Sequence, residues 1–222
     1  MLTTSTMRIY PNFKENILLK LLGAFYVVVW IVTAIQPVYP TDWMLENILV
    51  VLFVLLVVIT YKRFPLSDLS YICIAVFMAL HAIGAHYTYA ETPIGFWMQE
   101  WFGFQRNHFD RVVHFSFGLL MAYPVREVFL RVARTRGFFA YYLPLDVTLA
   151  FSGVYEIIEM GVAVMVSPEA GDAYLGTQGD IWDAQKDMGL AALGALICMV
   201  MTAVIRTIRK KPHVPEYQPS PS

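Results

Sequence analysis

Hydrophobic positions along the chain fall into six long runs parted by short polar breaks. The runs cover residues 17–36, 44–61, 69–87, 108–130, 140–166 and 183–207. Each comes near the roughly 20 apolar residues that a helix needs to cross a bilayer. The first two are plainly apolar, and the last four carry ionisable residues. Pro37 and Pro40 break the first connection, and Pro65 with Ser67 and Asp68 marks the second. Gly137 punctuates the fourth, while Ser167, Pro168, Gly171, Gly176 and Gly179 predict a plain loop for the fifth. The pattern predicts an all-α, polytopic membrane bundle of about six transmembrane helices over residues 17–208. A cytoplasmic segment, 1–16, precedes it, and a disordered cytoplasmic tail rich in Pro and Ser, 209–222, follows. The first run reads as an uncleaved signal anchor.

Composition supports this class. Of 222 residues, 58% are hydrophobic and 15% charged, against about 45–50% and 25% in soluble domains. That excludes a disordered protein, a coiled coil and a basic nucleic-acid binder, and argues against a soluble enzyme. Cys73 and Cys198 both lie in apolar runs, so neither a disulfide framework nor a CxxC metal site is expected.

The charges also orient the chain. With both termini cytoplasmic, every Lys and Arg of the 16 except Arg106, Arg111 and Lys186 falls on the inner side, as the positive-inside rule requires. The acidic residues lean the other way. Of 17, all but Glu15, Asp68, Glu127, Asp146 and Glu216 fall on the outer half, as do all histidines but His213. Insertion does not demand that bias, so it calls for a chemical cause.

Four helix ends bring these groups to the outer face. The third run ends with His81 and His86; the fourth opens with His108, Asp110 and His114. The fifth runs outward through Glu156 and Glu159, and the sixth begins with Asp180, Asp183 and Asp187. Asp110 and His114, Glu156 and Glu159, and Asp183 and Asp187 each share a helical face. Such groups are costly in a membrane, at least ~2.5–3.5 kcal/mol each near its centre, and face a wet cavity or one another. Imidazole with carboxylate suits Zn, Mn or Fe, and carboxylate alone suits Mg or Ca. His81, His86, Asp110, His114, Asp183 and Asp187 are the expected metal ligands or near-ligands, with Glu156 or Glu159 as general base. His81 and His86 are five apart, so one of them is expected to turn inward. Simpler roles compete. Asp180 suits an N-cap with Asp183 completing a weak capping box, His108 an interfacial helix start, and Arg111 an ion pair with Asp110 or Glu159. A polar network that merely glues helices together also competes.

Between the third and fourth runs, PIGFWMQEWFGF places Ile94, Trp97, Met98 and Trp101 on one face. It predicts a short amphipathic helix in the outer interface, either an aromatic anchor or a wall beside which a lipid-like substrate enters. No P-loop, GxSxG, HExxH or dinucleotide fingerprint occurs.

The stretches HAIGAHYTY (81–89), FGFQRNHFDRVVHFSFGLL (102–120), YEIIE (155–159) and AYLGTQGDIWDAQKDM (173–188) resemble the uncharacterised bacterial inner-membrane family typified by YjdF. The resemblance implies a six-helix protein of the bacterial inner (plasma) membrane and carries over no activity. A weaker similarity joins Asp110-Arg111-Val112-Val113-His114-Phe115 and an Asp-led final helix to VanZ-like proteins, associated with glycopeptide resistance. Asp187-Met188-Gly189 departs from that pattern, and fold-level analogy does not fix function.

The expectation that follows is a metal-dependent membrane enzyme acting at the outer face on a lipid-linked or envelope substrate, by hydrolysis or phosphoryl transfer. Membrane lipids are its expected surroundings, and nucleic acid is not an expected partner. Two rivals stand beside it. One is a small proton- or ion-coupled carrier, which needs polar groups continuing inward past Asp146, Thr148 and Ser152. The other is a non-catalytic envelope protein with a structural polar network.

Overall fold

A computed structural model describes residues 15–209. They form eight helices and, among the described residues, no strand: α1 (Ile17–Ala34), α2 (Pro40–Tyr61), α3 (Asp68–His86), α4 (Pro93–Phe102), α5 (Phe109–Arg131), α6 (Phe139–Ala163), α7 (Pro168–Leu175) and α8 (Asp183–Arg209). The six long helices match the six apolar runs to within a few residues. Except for residues 15, 16 and 209, the N-terminal segment and the tail expected to be disordered lie outside the described residues. The start signals act locally. Asn16 Oδ1 accepts from Leu19 N at 2.9 Å, and Ser67 Oγ accepts from Ser70 N at 3.3 Å, each satisfying a donor that the first turn leaves open.

Four of the long helices, α1, α2, α3 and α8, are apolar enough to cross a membrane by length and composition alone. The other two, α5 and α6, are as long but carry Asp110, Arg111, Arg126, Glu127, Asp146, Glu156 and Glu159. Their position explains this tolerance. The closest packing in the molecule is α5 against α8, and α5 also packs on α3 and α6. Protein rather than lipid therefore covers their polar faces. By contrast, α1 and α2 present Val28, Val32, Leu52, Leu56 and Ile59 outward. Their apolar surface suits contact with lipid rather than water.

A stripe of small residues closes α5 onto α8. A Cβ at Gly118 would collide with the Ala191 carbonyl oxygen, and one at Gly194 with that of Phe115. Ala122, Ala191 and Ala195 are wholly buried in the same seam. Close backbone approach through small residues is how membrane helices gain contact where lipid offers no hydrophobic drive. The same four-residue repeat runs outward from this seam: Ala122, Gly118, His114, Asp110 on α5, and Ala195, Ala191, Asp187, Asp183 on α8. The small residues thus set the acids of α5 against those of α8.

Two expectations need correction. The fifth connection is not a plain loop, because residues 168–175 form α7; Pro168 begins it, where a missing N–H costs nothing. Asp180 is not the N-cap of α8, which begins at Asp183. Its Oδ1 accepts from Trp182 N at 3.1 Å, a local turn, while its other oxygen binds side chains. The amphipathic segment forms α4 as expected. Gly95 faces inward against Asn107, and Phe96, Trp97, Trp101 and Phe102 are exposed.

Candidate functional site

Asp110, Asp183 and Asp187 each offer an oxygen, and the three oxygens lie within 4.8 Å of one another. Asp110 stands in the first turn of α5 and Asp183 in the first turn of α8. Asp187, one turn deeper, is 1% exposed, and its Oδ1 has no hydrogen-bond partner. A buried carboxylate oxygen left open toward two other carboxylates is costly without a cation or a proton between them.

His114 lies beside the triad. Its Nε2 is 3.7 Å from Asp110 Oδ1 and 3.3 Å from Glu156 Oε1, and its Nδ1 is 3.3 Å from Ser152 Oγ. The approach to Glu156 is not aligned as a hydrogen bond, and that oxygen is also unpartnered. Glu159, one turn outward, is buried and lines a small cavity with Asp110, Tyr89 and Tyr174.

The other expected ligands lie elsewhere. His81 turns toward α2: its Nδ1 is 2.8 Å from Tyr89 Oη, and its Nε2 is 3.9 Å from Glu46 Oε2. His86 turns away to α1, with Nδ1 2.8 Å from the Thr33 carbonyl oxygen and its ring edge-on to Tyr87. His108 caps the start of α5 and stands edge-on to Phe104 at 4.7 Å. Burial holds its imidazole below the ordinary value, and Arg111 and Arg106 add to this.

Two arginines pin the start of α8. Arg106 donates to Asp183 Oδ1 and Oδ2 at 2.6 and 3.1 Å and to the Thr177 carbonyl oxygen at 2.9 Å. Arg111 donates to Asp180 Oδ2 at 2.5 Å and to Asp183 Oδ1 at 3.0 Å. Its partners are thus Asp180 and Asp183, where the sequence suggested Asp110 or Glu159. Lys186 donates to the same Asp180 oxygen at 2.6 Å. That bond, with Arg111, holds Asp180 well below the ordinary carboxylate range. Asn107 completes the joint, accepting and donating through Gln178 at 2.9 Å each way.

Sequence reasoning missed a second cluster centred on Glu46. This acid sits in a helix that reads as plainly apolar, and it is 5% exposed. Tyr155 donates to its Oε2 at 2.9 Å, Tyr89 lies 3.4 Å from the same oxygen, and Tyr174 reaches Oε1 at 3.4 Å. A lone acid in an apolar run was the available signal, because such a residue marks a polar interior by default. Nothing local marked the three tyrosines, which come from three different segments.

The comparisons agree with this architecture. A family model described as "Predicted membrane protein (DUF2238)" matches residues 18–208. The chain is also 40% identical over 174 residues to "Inner membrane protein YjdF" of Escherichia coli (strain K12), covering 78% of this chain and 83% of that protein. No solved structure matches significantly. The chain belongs to the DUF2238 family and is a multi-pass helical protein of the bacterial inner membrane.

Proposed function

We propose that the outer end of the bundle is the divalent-cation centre of a membrane enzyme that hydrolyses, or transfers phosphoryl groups of, a lipid-linked or envelope substrate. One observation carries this reading: three carboxylates from two tightly packed helices converge within 4.8 Å, and the most buried of them has an oxygen without a partner. Asp110, Asp183 and Asp187 would hold the cation through oxygen, a set that suits Mg or Mn. If His114 joins, Zn or Fe becomes suitable as well. A bound cation would polarise a phosphoryl or acyl oxygen and favour ionisation of water.

The chain's own groups supply the rest. Glu156 is the proposed base, taking the proton of an attacking water, with His114 Nε2 nearby at 3.3 Å. Arg106 and Arg111 hold Asp183 in place, so the triad is positioned before any ligand arrives.

The carrier reading has less support. Inward of the acids, the space between α5, α6 and α8 is filled by Ala122, Ala195, Cys198 and Met199, backed by Leu119 and Leu145. Thr148 Oγ1 is spent within its own helix on the Pro144 carbonyl oxygen. The test is elemental mass spectrometry of detergent-purified protein that has never met a chelator. About one divalent cation per chain, lost in Asp187→Ala, is expected. Folded protein without metal overturns the reading.

A further inference from the structure

The substrate must reach acids that are largely buried, and the structure offers a route from the side. A cavity of about 280 Å³ lies between the outer ends of α2 and α6 and is bounded by α7. Pro40, Leu45, Val162 and Val166 line it, Thr41 and Asp42 add polar groups at the start of α2, and Tyr174 forms one wall. Its size is near the lower end of small-molecule sites, about 300 Å³. Tyr174 is also a wall of a second cavity, which contains Asp110 and Glu159 and has room for about one water, roughly 10 Å³. Tyr174 is thus the residue that a mainly apolar groove and the acidic chamber share.

The surroundings identify the occupant. On α6, Glu159 and Val162 lie three apart on one helical face, from chamber to groove, and Val166 lines the groove from just beyond the end of the helix. On α2, Leu45 in the groove adjoins the buried Glu46. Outside, Met44, Ile48, Ile158 and Val166 are exposed, so the groove is continuous with surface that lipid covers. A water-soluble substrate has no reason to cross that surface. The Tyr174 hydroxyl meets Glu46 at only 3.4 Å, a weak latch for a ring in this position. Gly176 ends α7 at φ +60°, a conformation that leaves the short helix a glycine pivot.

We propose that an outer-leaflet membrane lipid enters sideways between α2 and α6, lays its hydrocarbon chain in the groove, and brings its polar head to the acidic chamber, which widens as Tyr174 swings aside. This names the substrate class for the proposed enzyme as an amphiphile taken from the bilayer, and for that identity it rests on the reading above. The route does not pass α4, whose exposed aromatic face is left as an interfacial anchor.

The test uses the full chain in phosphatidylglycerol vesicles containing phosphatidylglycerol with a photoreactive head group. Cross-links are mapped by mass spectrometry, and metal content is measured on the same samples. Head-group labelling of residues 88–90 and 174–176 is expected. Val162→Trp, which fills the groove, should cut it by about tenfold. Leu45→Phe should do the same from α2 and guards against misfolding of the first variant. Ile157→Trp, on the exposed face of α6, should leave labelling unchanged. Labelling that is absent from the chamber, or equally strong in both groove variants, overturns the route. Chamber labelling in metal-free protein supports the route and defeats the metal-enzyme reading. Metal without chamber labelling does the reverse.

Discussion

The two ends of the bundle treat their buried carboxylates differently. At the cytoplasmic end, Glu127 accepts from Ser67 N and Ser67 Oγ, from Ser70 Oγ at 2.7 Å, and from Arg131 at 2.8 Å. Arg131 in turn lies over the Phe64 ring at 3.9 Å, and the Arg126 guanidinium lies over Tyr141 at 4.5 Å. Glu127 and Arg131 meet donors, an opposite charge or a ring face, whereas Arg126 has the ring face while its buried Nε and Nη2 find no hydrogen-bond partner. At the outer end, Asp110, Asp183 and Asp187 face each other, Glu156 and Asp187 keep unpartnered oxygens, and the nearby arginines serve mainly Asp180 and Asp183. A membrane protein needs the first arrangement in order to fold. The second costs stability, which the α5–α8 seam must offset, and such a cost points to function.

The largest test of this contrast removes one acid from each end. Asp187→Ala should weaken divalent-cation binding by at least ~100-fold, the upper range for losing even an outer-shell partner. Glu127→Gln should leave binding unchanged, as read by calorimetric titration of both variants. Equal binding in both would make the outer cluster as structural as the inner one.

A change in the seam should affect fold and site together. Gly118→Val drives a side chain into the Ala191 backbone, so a loss of at least ~1–3 kcal/mol is expected. Because the same seam aligns Asp110 with Asp187, metal content should fall with the unfolding midpoint. A stable variant with full metal content would detach the site from the seam.

Glu127→Gln should itself cost about 1–3 kcal/mol, as a charged acceptor with several donors is replaced by a neutral one. Thermal unfolding in detergent measures this, and no change would show that the cytoplasmic pairing is dispensable.

The smallest effect is at Asp180, which is held below the ordinary carboxylate value of 3.8. Its folded state favours the ionised form. Its stabilisation should therefore be complete above about pH 5 and should fade as acid titrates it through its lower folded value. Wild type and Asp180→Asn should differ in unfolding midpoint at neutral pH and converge in strong acid. A gap that persists in acid would mean that Asp180 acts through something other than charge.

Much of the fold was legible, because in a bilayer hydropathy and length restrict the backbone to helices. The start of α3 could be read from Ser67 and that of α4 from Pro93. The fold of residues 168–175 could not, since Gly171 within them and Gly176 just after them mask a helix that is held by packing against α6. Of the site, the i,i+4 pairs Asp110–His114 and Asp183–Asp187 were visible as faces. Their convergence was expected, but the close approach that sets it was not legible, because it depends on Gly118 and Gly194, which look like ordinary small residues in sequence. His86 and His81 were indistinguishable in sequence, and the structure turns one to the Thr33 carbonyl and the other to Tyr89 and Glu46.

The sequence by itself determined that this is an all-helical inner-membrane chain and that its basic and acidic residues gather toward opposite ends of its helices. Those properties follow from transfer free energy and insertion, which act on each segment separately. Tertiary structure decided which acids meet, that Arg111 serves Asp180 and Asp183, that Glu46 belongs to the outer polar layer, and that groove and chamber share Tyr174. Each of these is a contact between distant segments. It is fixed by how closely two helices approach, and no local pattern encodes that distance.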